Sequence, residues 1–103
     1  MPWTVTLVPL GDPKTNQPMT DASIEDQTRR ALENLAAVLA AAGLTLENVV
    51  STTVYLKDIG DFAKMNEVYA TYFKSAPPAR ATLEAARLLR DLKVEIFAIA
   101  VAP

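Results

Sequence analysis

The 103-residue chain contains no histidine and no cysteine, so any side-chain proton transfer it performs must use carboxylates, amines, guanidinium groups or hydroxyls. Two such groups stand out by position. Arg80 lies in "PPARATLEAARL" (Pro77 to Leu88) and Glu95 in "VEIFAIAVA" shortly after, and each interrupts an otherwise apolar segment. A guanidinium is permanently charged and offers a planar fork that matches a carboxylate at two points, so Arg80 can grip a small anionic substrate. Glu95 alternates in step with Phe97, Ile99 and Val101, which sends its carboxylate toward a side expected to be dry. Burial there would raise its pKa from about 4.3, the direction a general acid or base near neutral pH needs. The pair therefore sketches a site that anchors a carboxylate and delivers water to it. The same residues also fit a structural salt bridge, or two strand-end side chains in water, and spacing alone does not separate these readings.

The elements that would position them follow from the hydrophobic pattern. "WTVTLVPL" (Trp3 to Leu10) alternates at period two and is expected to form a strand, and "GDPKTNQP" after it is rich in turn formers. From Ile24, the residues Ala31, Leu32, Leu35, Val38, Leu39 and Ala42 recur at helical spacing. Ser23 and Asp26 are placed like a capping pair and Gly43 is the stop. "NVVSTTVYL" is short and β-branched, with Val50, Val54 and Leu56 expected on its apolar face. Asp61 is placed as the cap of a second helix carrying Phe62, Met65, Tyr69 and Phe73, which Pro77-Pro78 prevents from continuing. "ARATLEAA" and "KVEIFAIAVA" alternate at period two and are joined by "RLLRD".

The order strand, helix, strand, helix, strand, strand argues for an α+β fold, a two-layer α/β sandwich of residues 1–103 with both helices on one face of the sheet. The last strand is apolar on both sides, with Val94, Ile96, Ala98 and Ala100 on one and Phe97, Ile99 and Val101 on the other. The bare face therefore also needs a cover, and a second copy of the chain is the simplest one. Composition agrees, because half of the residues are hydrophobic and a domain this small buries a modest share of its surface.

Ten basic residues against twelve acidic ones give a net charge of −2, too little positive field to draw in nucleic acid or an anionic membrane. No stretch is long and apolar enough to span a bilayer, and Met1-Pro2-Trp3 with its alternating sequel lacks the features of a signal peptide. A cytoplasmic protein is expected, and the lack of cysteine is consistent with that.

The segments "DPKT" (Asp12 to Thr15), "EDQTRRALENLAAVLAAAG", "VVSTTVYLKDIGDFAKMNEVYATYF", "PPARATLEAARL" and "VEIFAIAVA" together resemble the reactive intermediate deaminase family, also called RidA or YjgF, over about nine tenths of the chain. The resemblance implies a chorismate-mutase-like fold, a homotrimer with clefts between subunits, and hydrolysis of reactive 2-imino acids or their enamine tautomers to 2-keto acids and ammonia, with no metal or organic cofactor. It implies that Arg80, in the "PAR" motif, binds the substrate carboxylate, and that Glu95 positions the attacking water. Asn66 matches a family asparagine near the cleft that could reach the ligand from a neighbouring subunit, although a helix-surface polar residue fits it equally. Thr82 stands where many relatives carry cysteine or serine, and it is assigned to substrate binding through its backbone. Glu84 and Arg87 read as salt-bridging or solvated, and Tyr69, Tyr72 and Phe73 as core or interface.

The chain departs from the family pattern in lacking a "GPYSQA"-like motif and an "SGQ" motif, whose glycine corresponds to Thr6, and in carrying Phe97 where a second glutamate is common. Three functional readings result. The first is a 2-iminobutanoate/2-iminopropanoate deaminase acting on small 2-imino acids. The second is a non-catalytic trimer of the same family that binds small carboxylates or a partner protein. A ribonuclease or translation inhibitor ranks behind both, because RNA cleavage would call for a basic patch and acid–base groups the sequence does not display.

Overall fold

The computed structural model describes residues 2–7, 21–74 and 77–101, with side chains omitted for 2–7 and for Leu89. The expected turn at 11–18, the continuation of the first strand past Leu7, and the side chains of Trp3 and Thr6 lie outside the described residues. The elements run β1 (Pro2–Leu7), α1 (Ile24–Ala41), β2 (Val49–Leu56), α2 (Phe62–Tyr72), β3 (Ala79–Glu84) and β4 (Val94–Val101). Short 3-10 turns lead into β2 and α2, and a third precedes β4.

Helix α1 starts and stops where its end residues demand. The Ser23 hydroxyl accepts from the Asp26 amide at 3.1 Å, satisfying one of the free N–H groups of the first turn. At the other end Gly43 adopts φ +77°, which lets the Gly43 and Leu44 amides turn back onto the Ala40 and Leu39 carbonyls. This is the Schellman arrangement, and the buried Leu44 and Leu39 belong to the same core cluster. The buried stripe is Ile24, Gln27, Thr28, Ala31, Leu32, Leu35 and Leu39. Val38, expected inside, is exposed, whereas Gln27 is buried because both ends of its amide are used. Its Nε2 donates to the Ala22 carbonyl at 3.1 Å and its Oε1 accepts from the Lys93 amide at 2.9 Å.

The sheet has the order β1-β4-β2-β3. β4 pairs antiparallel with both β1 and β2, and β2 pairs in parallel with β3. A parallel pair needs a long crossover, and here that crossover contains α2. Asp61, expected to cap α2, makes no side-chain cap bond. The carboxylate of Asp58 serves the turn before it, accepting from the Gly60 amide at 2.8 Å.

Both helices cover one face of the sheet, as the element order predicts. Leu32, Leu35 and Leu39 of α1, Met65 and Tyr69 of α2, and Phe73 just past the end of α2 close on Val54 and Leu56 of β2 and on Val94, Ile96, Ala98 and Ala100 of β4. Each fully buried side chain of this size contributes about 1.5–3 kcal/mol relative to exposure. Val50 is a correction to the expected β2 face, because the register shifts between Val49 and Ser51. This bulge turns Val49 and Thr52 inward and leaves Val50 49% exposed. The opposite face carries Leu83, Ile99 and Val101, which are 48%, 38% and 39% exposed, together with Tyr55 packed edge-on against Phe97 at 5.6 Å between ring centroids.

Among the described residues no helix is long and apolar enough to cross a membrane.

Candidate active site

Helix α2 presents Phe62, Asn66 and Tyr69 along one side, at intervals of four and three residues, and Phe73, the residue that caps its C-terminus, follows four further on. Those intervals place them on one stripe of an α-helix. The stripe meets β3 at Arg80, which stands beside Thr52 in the parallel ladder. Arg80 Nη1 donates to Asn66 Oδ1 at 2.6 Å. The guanidinium carbon lies 4.6 Å from the centroid of the Tyr69 ring and 5.3 Å from that of Phe62, within the range where a cation is drawn to the face of an aromatic ring. Asn66 is the one hydrogen-bond acceptor Arg80 meets among the described residues. The rest of its donor fork remains exposed.

Beside the guanidinium lies a cleft of about 430 Å³ lined by Asn66, Tyr69, Ala70, Phe73, Pro77, Pro78 and Arg80. Its chemistry is one cation and one amide against an otherwise aromatic and aliphatic wall, which suits a small molecule with a carboxylate at one end. Beneath the cleft the Tyr69 hydroxyl and Thr52 Oγ1 share a buried hydrogen bond of 2.6 Å, and the Tyr69 and Phe73 rings lie 4.7 Å apart. Burial pushes the Tyr69 phenol above its ordinary pKa of 10.0, with the bond to Thr52 and the charge of Arg80 pulling the other way.

Of the other residues assigned from sequence, Thr82 is half-buried on β3 beside Val54, on the same sheet face as Arg80. Asn66, expected to act from a neighbouring subunit or to lie on the helix surface, meets Arg80 within one chain. Glu95 is placed differently. Arg80 pairs with Thr52, Thr52 pairs with Ala98, and Glu95 lies three residues back along β4. An odd offset reverses the face, so Glu95 stands with Phe97 and Ile99 on the uncovered side, half-buried beside Tyr55. Two strand spacings and three residues of rise separate the Arg80 and Glu95 Cα atoms by roughly 14 Å. The two do not form an ion pair with each other.

Glu84 has a role the sequence did not suggest. Its Oε1 accepts from the Ile59 amide at 2.9 Å, tying the turn before α2 to the end of β3 and so fixing one end of the Arg80 platform. A wider depression of about 550 Å³ is lined by Asp21, Lys57, Asp58, Asp61, Asp91 and Lys93. It is a weaker candidate despite its size, because much of its charge is already engaged. Lys57 pairs with Asp91 at 2.6 Å and Lys93 Nζ donates to the Ala22 carbonyl at 2.8 Å. Among the described residues no three metal-ligating side chains converge.

The profile of the family described as Endoribonuclease L-PSP matches residues 8–102. A RutC family protein of Pyrococcus horikoshii is 55% identical over 89 residues, which are 86% of this chain and 70% of that protein. A protein of Salmonella typhimurium named 2-iminobutanoate/2-iminopropanoate deaminase is 46% identical over 93 residues, 87% of this chain and 71% of that one. The crystal structure of Escherichia coli TdcF with bound serine superposes with a TM-score of 0.88 at 37% identity, covering 99% of this chain and 81% of that one.

Proposed function

Because the chain belongs to the Endoribonuclease L-PSP family, which includes the reactive intermediate deaminases, we propose that it hydrolyses small 2-imino acids, or their enamine tautomers, to 2-keto acids and ammonia. The observation that carries this reading is the Arg80 guanidinium, held against Tyr69 and Asn66 with its fork open at the mouth of a small, largely apolar cleft. Such a group binds the carboxylate of a 2-imino acid at two points and leaves a short side chain to the apolar wall. A relative named for this activity and another structure holding serine support the same ligand class.

In this reading Arg80 fixes the acid end, and Glu95 takes a proton from a water as its oxygen bonds to the imine carbon. The C=N π electrons move to nitrogen, which takes up the proton held by Glu95 and one from solvent; the carbinolamine oxygen then gives up its proton and forms the C=O bond as the C–N bond breaks and ammonia leaves. An imine carbon is electrophilic enough for positioning and one acid–base group to suffice. Since Arg80 and Glu95 lie on opposite faces of one sheet, the reaction draws them from adjacent copies, in a trimer whose clefts lie between subunits. Asn66 holds Arg80, and Thr82 lines the same face through its backbone.

The decisive measurement is ammonia release from freshly generated 2-iminopropanoate and 2-iminobutanoate by the wild type, Arg80→Ala and Glu95→Gln at matched oligomeric state. Acceleration by wild type alone is expected, and equal rates for all three at the uncatalysed level refute deamination of these substrates. The separation of Arg80 from Glu95 also favours a second reading, an assembly that binds 2-keto acids without turning over imines. Binding of 2-oxobutanoate by a wild type that releases no ammonia above background would identify it.

A further inference from the structure

We propose that Tyr69 is a positioning residue for Arg80, with Thr52 as the anchor that fixes the plane of the ring; the kinetic part of this inference rests on the deaminase reading above. A free arginine side chain samples many rotamers, and a substrate that must first order it loses affinity. Here the order is built in. The guanidinium carbon is 4.6 Å from the Tyr69 centroid, and Asn66 takes one N–H at 2.6 Å. Ring and amide both belong to the same stripe of α2, so neither moves without the helix.

The tyrosine hydroxyl shows that the ring does more than fill space. A phenylalanine or leucine would occupy this buried site without bringing in a polar group that demands a partner. The structure instead places a second hydroxyl, that of Thr52, 2.6 Å away on the central strand. Thr52 is itself buried and stands beside Arg80 in the ladder. Phe73 packs against the ring at 4.7 Å. The ring is thus pinned at its hydroxyl by the sheet, on one side by Phe73, and along its backbone by α2. The phenol stays protonated across the neutral range, since burial raises its pKa, and takes no part in proton transfer. What it contributes is the direction in which Arg80 presents its remaining donors.

The test follows the Arg80 side-chain Nε–H resonance of the full chain by NMR, because a proton near an aromatic face is displaced by the ring current. The same proteins are titrated with pyruvate and assayed with 2-iminobutanoate. Tyr69→Leu is expected to return the resonance toward that of a solvated arginine. It should weaken pyruvate binding and raise KM by on the order of tenfold, with kcat changed by less than about threefold. Tyr69→Phe, which keeps the ring, should retain the displaced resonance and recover most of the lost affinity. Should Tyr69→Leu fail to fold, Thr52→Val leaves the ring in place without its anchor, and a smaller shift in the same direction is expected, with KM up by roughly twofold to fivefold.

An Arg80 resonance indifferent to all three changes overturns the proposal. So does equal loss of affinity in Tyr69→Phe and Tyr69→Leu, or a loss confined to kcat. If the wild type neither binds pyruvate nor releases ammonia, the deaminase reading fails by itself, and the resonance alone still decides whether Tyr69 orients Arg80.

Discussion

The two faces of the sheet solve different problems. The face under α1 and α2 is complete within one chain: its apolar residues are covered, its buried hydroxyls are paired, and its exposed cation is held by ring and amide. The other face is unfinished. It carries Glu95 among Tyr55, Phe97, Ile99 and Val101, with large apolar side chains in contact with solvent. One face holds its cation with residues of its own chain, whereas the other offers a carboxylate whose surroundings depend on whatever covers it.

The largest effect is expected where this comparison is tested as chemistry. Arg80→Ala should reduce 2-oxobutanoate binding by about a hundredfold or more, as loss of a two-point charge-assisted contact requires. Glu95→Gln should leave binding largely intact and lower the rate of ammonia release by about 10²–10⁴-fold. Mixing the two inactive variants, unfolding and refolding them together, should restore part of the activity. An assembly that joined both groups within one chain would show no such rescue, so the mixture breaks or keeps the contrast between the faces.

Next in size is packing. Leu32→Ala, at a fully buried position, should cost about 2–5 kcal/mol in denaturant unfolding. Leu83→Ser on the uncovered face should shift sedimentation toward smaller species and leave the chain's own fold largely unchanged. Equal losses of fold stability at the two positions would show that the faces are not distinct.

Removing one hydroxyl of the buried pair sharpens the point further. Thr52→Val should destabilise by about 1–3 kcal/mol because the Tyr69 phenol is left without its partner, while the double change Thr52→Val with Tyr69→Phe should recover much of that. The raised phenol pKa has a pH consequence. Below pH 10.0 Tyr69 is neutral in both states and its contribution is intact, and as pH rises past that value the unfolded chain ionises first. Stability should therefore fall on the alkaline side, measured as Tm between pH 9 and 11 (roughly, around the ordinary phenol pKa), and Tyr69→Phe should flatten the fall.

The smallest effect concerns the loop between β3 and β4, where Arg90 and Asp91 both adopt positive φ, 55° and 57°. Arg90→Gly should relieve strain in the folded chain while loosening the unfolded one, with a net change of about 1 kcal/mol or less in chemical denaturation.

Much of the architecture is legible in the residues because it rests on local signals. The Ser23 and Gly43 ends of α1 and the two-sided alternation of β4 need no knowledge of partners. The Val50 face is not legible, since a bulge is one extra residue and the same letters fit an unbulged strand. Arg80 and Glu95 can be singled out by type, but their opposition across the sheet depends on the β3-to-β2 and β2-to-β4 registers, which are set by packing. Tyr69 reads as core because it is core; its second role appears only when Arg80 is seen lying over it. Glu84 reads as a salt-bridging or solvated carboxylate until the Ile59 amide is found against it.

The crossover from β2 through α2 to β3 has a kinetic consequence. The residues that hold Arg80, Asn66 and Tyr69, lie 14 and 11 residues from it along the chain, whereas β1 must find β4 from the far end, with Pro2 opposite Val101. Closing a short segment costs less chain entropy than closing a long one, and local contacts form sooner. The platform under Arg80 is therefore expected to assemble early, as a contiguous piece of polypeptide, with the β1 edge of the sheet pairing later.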